Sequence, residues 1–305
     1  MNLNRIFFSD DEPRLRAGWR LAIQSSGMFF AFACLGVPVF VIYFFFDPES
    51  AFTKRITPSL FLLSTVVETI AFTASIFFAR RFLDKRSIES LGLKLNRQAL
   101  FDVLAGIGIT FLQMGFIYLV MYSLGWITFN GFAWEIDPLG KVIGSTLIFL
   151  AIFLLVGWNE ELLSRGYHLQ TLASGLNLFW GVVISSTVFG FLHIFNPGSS
   201  WVAVLGITVA GFYFAFAYLR SKQLWLPIGI HIGWNFFEGV VFGFPVSGMD
   251  IYPLTRIEVT GPALWTGGAF GPEAGLIVLP SFLVGAGLIY WFTRNRTEPT
   301  NVLHE

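Results

Sequence analysis

Residues 142–166 read VIGSTLIFLAIFLLVGWNEELLSRG, and this stretch decides how the rest of the chain is read. Its apolar part approaches the ~20 residues that cross a bilayer as a helix, yet it ends in Glu160, Glu161 and Arg165. Each ionisable group in hydrocarbon costs roughly 2.5–3.5 kcal/mol or more, so these three require partners or an aqueous cavity. Successive helical residues turn by about 100°, which points Glu160 and Glu161 in different directions. Glu161 and Arg165 are i,i+4 neighbours able to pair. Glu160 is the carboxylate left for another task.

The rest of the chain agrees with a lipid solvent. Hydrophobic residues make up 55% and charged residues 12%, half the roughly 25% usual in soluble domains. Mean hydropathy is +0.68. A formal net charge of +0 gives no basic footprint, so nucleic acid is not an expected partner. The single cysteine, Cys34, has no partner cysteine and reads as a core or lipid-facing thiol. The first apolar run, Leu21 to Phe46, is too long for a signal-peptide core and reads as a retained span.

Eight spans are expected, at about 21–46, 57–79, 99–125, 142–164, 177–195, 201–219, 224–243 and 273–293, with Pro38 and Pro227 as interruptions. Sidedness follows from Lys and Arg. With the N-terminus inside, Arg5, Arg14, Arg16, Arg20, Arg80, Arg81, Lys85, Arg86, Lys94, Arg97, Arg165, Arg220, Lys222, Arg294 and Arg296 collect on the cytoplasmic side. Only Lys54, Arg55, Lys141 and Arg256 fall outside. The expectation is an all-α, polytopic transmembrane helix bundle in the cell membrane, with both termini cytoplasmic. It divides into a cytoplasmic tail (1–20), N-terminal helices (21–125), a helical core (142–243), an extracytoplasmic loop (244–272), and a last helix with its tail (273–305). The basic, amphipathic 80–98 segment is expected on the anionic inner leaflet, which makes membrane lipid a partner. The Gly- and Pro-rich loop at 244–272 carries no recognisable function.

Two histidines lie in apolar runs. His193 closes the fifth span after Phe189, and His231 shares a helix face with Asn235 in the seventh. Positions 160 and 193 are equidistant from 176–177, where Gly175 and Asn177 suit a helix stop and turn. In an antiparallel pair turning there, Glu160 and His193 stand at one depth. The depth of His231 does not match so simply. At 1.5 Å per residue, His193 lies ~24 Å past Asn177 and His231 only ~12 Å past Gln223. Either the turn protrudes or the seventh helix starts below the surface.

The ordered pattern E-E-x-x-x-R (Glu160, Glu161, Arg165), F-x-x-x-H (Phe189, His193) and H-x-x-x-N (His231, Asn235) resembles the CPBP family. That family comprises type II CAAX prenyl endopeptidases and bacteriocin-processing or self-immunity proteins of the Abi type. Ser90-Leu91-Gly92-Leu93 and Leu224-Trp225-Leu226-Pro227 look similar too, so the resemblance covers about residues 80–240. It implies an intramembrane endopeptidase in which Glu160 activates water with His193 assisting, His231 and Asn235 stabilise the oxyanion, and Glu161 and Arg165 support them. The implied substrate is a peptide or membrane-anchored protein, prenylated C-terminal motifs being one substrate of the family.

Two His and one Glu also form a zinc-type donor set, which makes Glu160, His193 and His231 candidate ligands. No H-E-x-x-H is present, and a metal-free, Glu-activated water is the preferred reading. Rhomboid-type serine chemistry lacks its G-x-S-G motif, and aspartyl chemistry lacks two intramembrane Asp. Two other functions remain: a non-catalytic scaffold or immunity protein using the same cavity, and a proton-coupled transporter, for which no inverted repeat is evident. His168 reads as structural near the Arg165 turn, His304 as a tail residue, and Glu68 as a hydrogen-bonding group in the bundle interior. Glu238, seven residues after His231 on a similar face, is a candidate to line the cavity.

Overall fold

The computed structural model describes residues 4–8, 14–48 and 57–296. Lys54, Arg55 and His304, with most of the expected tails, lie outside them. Eight helical rods make up the described bundle: α1 (Ala17–Phe46), α2 (Pro58–Phe78, extended by a π-turn to Leu83), α3 (Arg97–Ser123), α4 (Leu139–Glu161, running on to Gly175), α5 (Leu178–Leu192), α6 (Trp201–Ser221), α7 (Trp225–Asn235, followed by a π-turn Phe236–Val241) and α8 (Val278–Thr293). Five rods are long and apolar enough to cross a membrane, and α5 and α8 are shorter apolar helices. The protein is a multi-pass integral membrane protein. Cys34 is exposed on α1, and Pro38 sits inside that helix without ending it.

Local chemistry punctuates the rods. Thr57, Asn96, Asn177 and Ser200 cap the starts of α2, α3, α5 and α6, each side-chain oxygen accepting from the backbone N–H three residues on, which satisfies an otherwise orphaned donor. The turn between α4 and α5 falls at Leu176 and Asn177, the point expected from the Glu160/His193 spacing. The expected end of the fourth span at 164 is corrected. The helix continues through a π-helical segment, Leu162–Leu169, and a last α-turn to Gly175, because nothing between 164 and 175 forces a break.

Close backbone approach fixes α7 against α3. A Cβ on Gly229 would stand 2.3 Å from Val103 O, and one on Gly233 would stand 2.0 Å from Thr110 Oγ1. Small residues four apart give helices in lipid this intimate contact. The start of α7 is tied to the segment that precedes α3. Leu224 N–H donates to Gly92 O (2.8 Å), Lys94 N–H to Gln223 Oε1, and Trp225 Nε1–H to Lys94 O. The helix therefore begins against the 88–95 segment. Within the 80–98 segment Leu91 is fully buried, and Arg80 and Asp84 turn inward.

At the opposite end, the loops after α3 and α7 are zipped into a two-stranded antiparallel sheet, β1 (Ile127–Phe132) and β2 (Thr255–Val259), with Ile127 opposite Val259 and Phe129 opposite Ile257. No strand was expected in this all-α chain. Asp137 ties the same corner together, accepting from Lys141, Tyr252 and Arg256.

Candidate active site

The site is assembled from α4, α5 and α7 around a cavity of about 330 Å³ inside the bundle. Glu160, His193, His231 and Asn235 all line it. Glu160 Oε2 lies 3.8 Å from His193 Nε2 and 3.6 Å from His231 Nε2. Both separations exceed a direct hydrogen bond and are within reach of a single shared water.

The far side of each imidazole is already committed. His193 Nδ1 lies 2.8 Å from Phe189 O, and a carbonyl only accepts, so Nδ1 carries the hydrogen. His231 Nδ1 lies 2.9 Å from Glu161 Oε1, and an ionised carboxylate likewise only accepts. In their neutral forms both rings therefore present a bare Nε2 to Glu160. Three acceptor groups converge, and only a proton donor or a cation among them can satisfy all three.

Glu161 has the second role that helical geometry assigned to it, and one more. It is fully buried and accepts from Arg165 Nη1 at 2.8 Å on the same oxygen that holds His231. Arg165 also donates to Gly211 O. It lies over the rings of Phe189 and Phe214, at 4.4 and 4.9 Å to their centroids, and does not line the cavity. Phe214 stacks on His231 (4.8 Å, 15°), and Phe189 meets His193 edge-on. The sequence paired Glu161 with Arg165 and missed its bond to His231, because helical spacing reports only neighbours on one helix.

Other cavity residues were missed or misplaced. Glu68 of α2, expected in the bundle interior, lines the cavity within electrostatic reach of Glu160. A lone carboxylate in an apolar span was the available signal. The 244–272 loop contributes Val246, Ser247 and Met249 to the lining, and Glu273 follows it. Position 273 was taken as the first residue of the last span, but α8 starts at Val278, and Glu273 sits in a short turn folded back into the bundle. Its Oε1 accepts from Trp234 Nε1 (3.1 Å), and its Oε2 from Ser247 N (3.0 Å) and Oγ (2.5 Å). Asn196, three residues past His193, donates to Ser247 O. Glu238 does not line the cavity. It is fully buried, with Glu273 as an electrostatic neighbour. His168 lies in the π-helical segment, half-buried.

The donor types of Glu160, His193 and His231 suit zinc, and their Nδ1 atoms are tied in the manner of metal-bound histidines. Among the described residues, however, no three His, Cys, Asp or Glu side chains converge as a metal centre requires.

Two comparisons with known proteins find similarity. Residues 142–237 match the family model described as type II CAAX prenyl endopeptidase, Rce1-like. Over 87 residues the chain is 34% identical to a Bacillus subtilis (strain 168) protein described as "Putative membrane peptidase YdiL". That match takes in 28% of this chain and 34% of the relative, so the chain matches only about a third of the relative's length. No solved structure matches.

Proposed function

From the match of residues 142–237 to the Rce1-like type II CAAX prenyl endopeptidase model, we propose that the protein is an intramembrane endopeptidase that hydrolyses a peptide bond with water activated by Glu160. The observation that carries this reading is the convergence of Glu160 Oε2 on the Nε2 atoms of His193 and His231, at 3.8 and 3.6 Å, inside an apolar bundle.

Glu160 takes a proton from a water held against His193 Nε2, and the water oxygen attacks the scissile carbonyl carbon. The negative charge that develops on the carbonyl oxygen is met by the Asn235 amide and by His231. His231 can donate through Nε2 only as an imidazolium, a form the Glu161 carboxylate on Nδ1 stabilises. Glu160 then returns its proton to the leaving nitrogen, the C–N bond breaks, and one product leaves with a new carboxylate. The cavity is mostly apolar on its outer side, where Phe29 of α1 and Leu192 of α5 line it and are themselves exposed on the bundle surface. A membrane-anchored peptide, prenylated or otherwise lipophilic, suits that opening.

The test is turnover of a fluorogenic library of membrane-anchored peptides by purified protein in nanodiscs. Glu160→Gln keeps size but removes basicity, so turnover should fall by about 10²–10⁴ with an unchanged melting temperature. Turnover that survives exhaustive chelation supports the metal-free form of the mechanism. Full activity in Glu160→Gln ends the general-base reading, and absence of turnover in the wild type favours the non-catalytic scaffold.

A further inference from the structure

Each histidine of the site is tied through Nδ1, and neither tie sets the distance between them. His193 is held within its own helix by Phe189 O, and His231 by Glu161 of α4. Neither bond fixes the end of α5 against α7. His193 is the first residue past α5, whose last residue is Leu192, so its position depends on what the following chain is fastened to. A run of hydrogen bonds provides that fastening. Asn196 N–H donates to His193 O (3.1 Å), and Asn196 Nδ2 donates to Ser247 O (3.1 Å). Ser247 donates through N (3.0 Å) and Oγ (2.5 Å) to Glu273 Oε2. Glu273 Oε1 accepts from Trp234 Nε1 (3.1 Å), and Trp234 stands between His231 and Asn235 on α7. Trp234, Ser247 and Glu273 are all buried. The two middle members, Ser247 and Glu273, lie outside the family-matched residues 142–237.

The middle of this bridge is built to hold still. Ser247 has φ +47° and Gly248 φ +82°, and a residue other than glycine keeps a left-handed backbone only where its surroundings impose it. Gly248 N–H donates to Phe270 O (2.8 Å), and Val246 pairs with Met249 across the turn. On the other flank, a Cβ on Gly206 would stand 2.0 Å from Glu273 O, so the Glu273 turn is seated directly on α6. We propose that Ser247 and Glu273 are positioning residues of the hydrolytic site, a role that rests on the endopeptidase reading for its kinetic consequences. Through Asn196 and Trp234 they set the end of α5, with His193, against α7, with His231 and Asn235. The 244–272 loop thereby gains a function. An attacking water must meet Glu160 and His193 while the carbonyl oxygen meets His231 and Asn235, and rates fall steeply when such groups drift apart. Breaking the bridge leaves every catalytic side chain present and loosens only their spacing. The signature is a loss of kcat with KM retained.

The experiment removes the bridge one bond at a time in full-length protein in nanodiscs, with fluorogenic membrane-anchored peptides as substrate. Trp234→Phe keeps a ring and removes the indole N–H, Ser247→Ala removes the hydroxyl, and Asn196→Ala removes the amide. We expect each to lower kcat about 10-fold while KM stays within about twofold. The double variant Asn196→Ala/Trp234→Phe should lose little more than either single one, because one break already opens the bridge. Three separate breaks keep the test informative if one variant fails to fold. Asp84→Asn, which loosens the bundle elsewhere, controls for stability: its kcat stays at the wild-type level even where its melting temperature falls furthest. A wild-type kcat in all three variants, a KM that rises at constant kcat, or losses that multiply in the double variant overturns the inference and leaves the peptidase standing. A second arm needs no turnover. In protein carrying isotopically labelled histidine, the ring-nitrogen NMR signals of His231 should shift in Asn196→Ala, at the far end of the bridge, while those of His168 stay in place. Unmoved His231 signals overturn the inference even in a protein that cleaves. Moved signals in a protein that cleaves nothing uphold the bridge and sink only the peptidase.

Discussion

Two buried polar clusters built from the same residue types lie in this bundle, and they are finished differently. At the end near the α4–α5 turn, Asp84 accepts from both Arg20 and Arg80. Arg80 also donates to Ser90 and Gln170, Gln170 to Leu91 O, and Arg20 to Ser174. Cations outnumber anions there, and the carboxylate is shared between two guanidiniums. Around the cavity the balance is reversed: carboxylates outnumber cations, and acceptors face acceptors across 3.6–3.8 Å. The first, charge-paired cluster holds the helix ends together. The second leaves acceptors facing one another, ready to take a proton or a substrate. Burial alone does not tell the two apart, but the balance of cations against carboxylates does.

Glu161 belongs to both kinds and should show the largest combined effect. It anchors Arg165 and holds His231 Nδ1. Glu161→Gln leaves a buried guanidinium without its anion, which costs about 3–5 kcal/mol, and removes the partner that stabilises the His231 imidazolium. We expect both the melting temperature and the turnover of the surviving folded fraction to fall. Loss of turnover at an unchanged melting temperature would assign Glu161 to the cavity alone and dissolve the contrast.

Asp84→Asn probes the charge-paired cluster by itself. It strips the anion from two buried arginines at once, so we expect a loss of about 3–5 kcal/mol, read as a lowered melting temperature in detergent. Turnover per folded molecule should stay at the wild-type level, because no member of that cluster lines the cavity. Asn235→Ala is the converse probe. Its side chain faces the cavity and carries no structural bond described above. Loss of one oxyanion donor should cost about 10²–10³ in kcat with little change in melting.

The part of this arrangement that could be read from sequence is the part written in helical spacing. The 160/193 midpoint located the turn at Leu176–Asn177, and i,i+4 spacing paired Glu161 with Arg165 and placed His231 and Asn235 on one face. Hydropathy located the apolar rods, although only five of the eight expected spans are long and apolar enough to cross a membrane. What escaped was everything that depends on contacts between elements distant in sequence. The Glu161–His231 bond joins residues 70 positions apart. Glu273 was absorbed into the apolar run of the last helix, although Gly271 at φ +108° turns the chain there and sends the next residues into the bundle. The β1–β2 pairing joins two loops whose alternation is too short to register as strands. The continuation of α4 to Gly175 lay beyond the apolar run that marked the span, and in the π-helical segment Gly166 lies against Leu224.

The smallest expected effect lies outside the bundle, at the corner where the two loops meet. Asp137 Oδ1 accepts from Lys141 Nζ at 2.8 Å, and Oδ2 accepts from Tyr252 Oη at 2.8 Å and Arg256 Nη2 at 2.7 Å. These bonds, the one from Lys141 foremost and then the one from Tyr252, hold its carboxyl below the ordinary carboxylate value. A carboxyl whose folded-state pKa is depressed stabilises the fold above its unfolded pKa, near ~3.9. That contribution fades as pH falls through the folded value. The group is near the surface, so solvent screens the pairs and the effect is small. We expect Asp137→Asn to lower the protection of β1 and β2 amides in hydrogen exchange at pH 7 and to leave the cavity helices unaffected. The difference between variant and wild type should shrink once the pH drops below ~3.9, where the wild-type carboxyl begins to take up its proton. A difference that persists undiminished to the lowest tolerated pH would mean that Asp137 acts by shape rather than charge. The sheet would then be held by its strand pairing alone, and the corner would belong with neither of the two buried clusters.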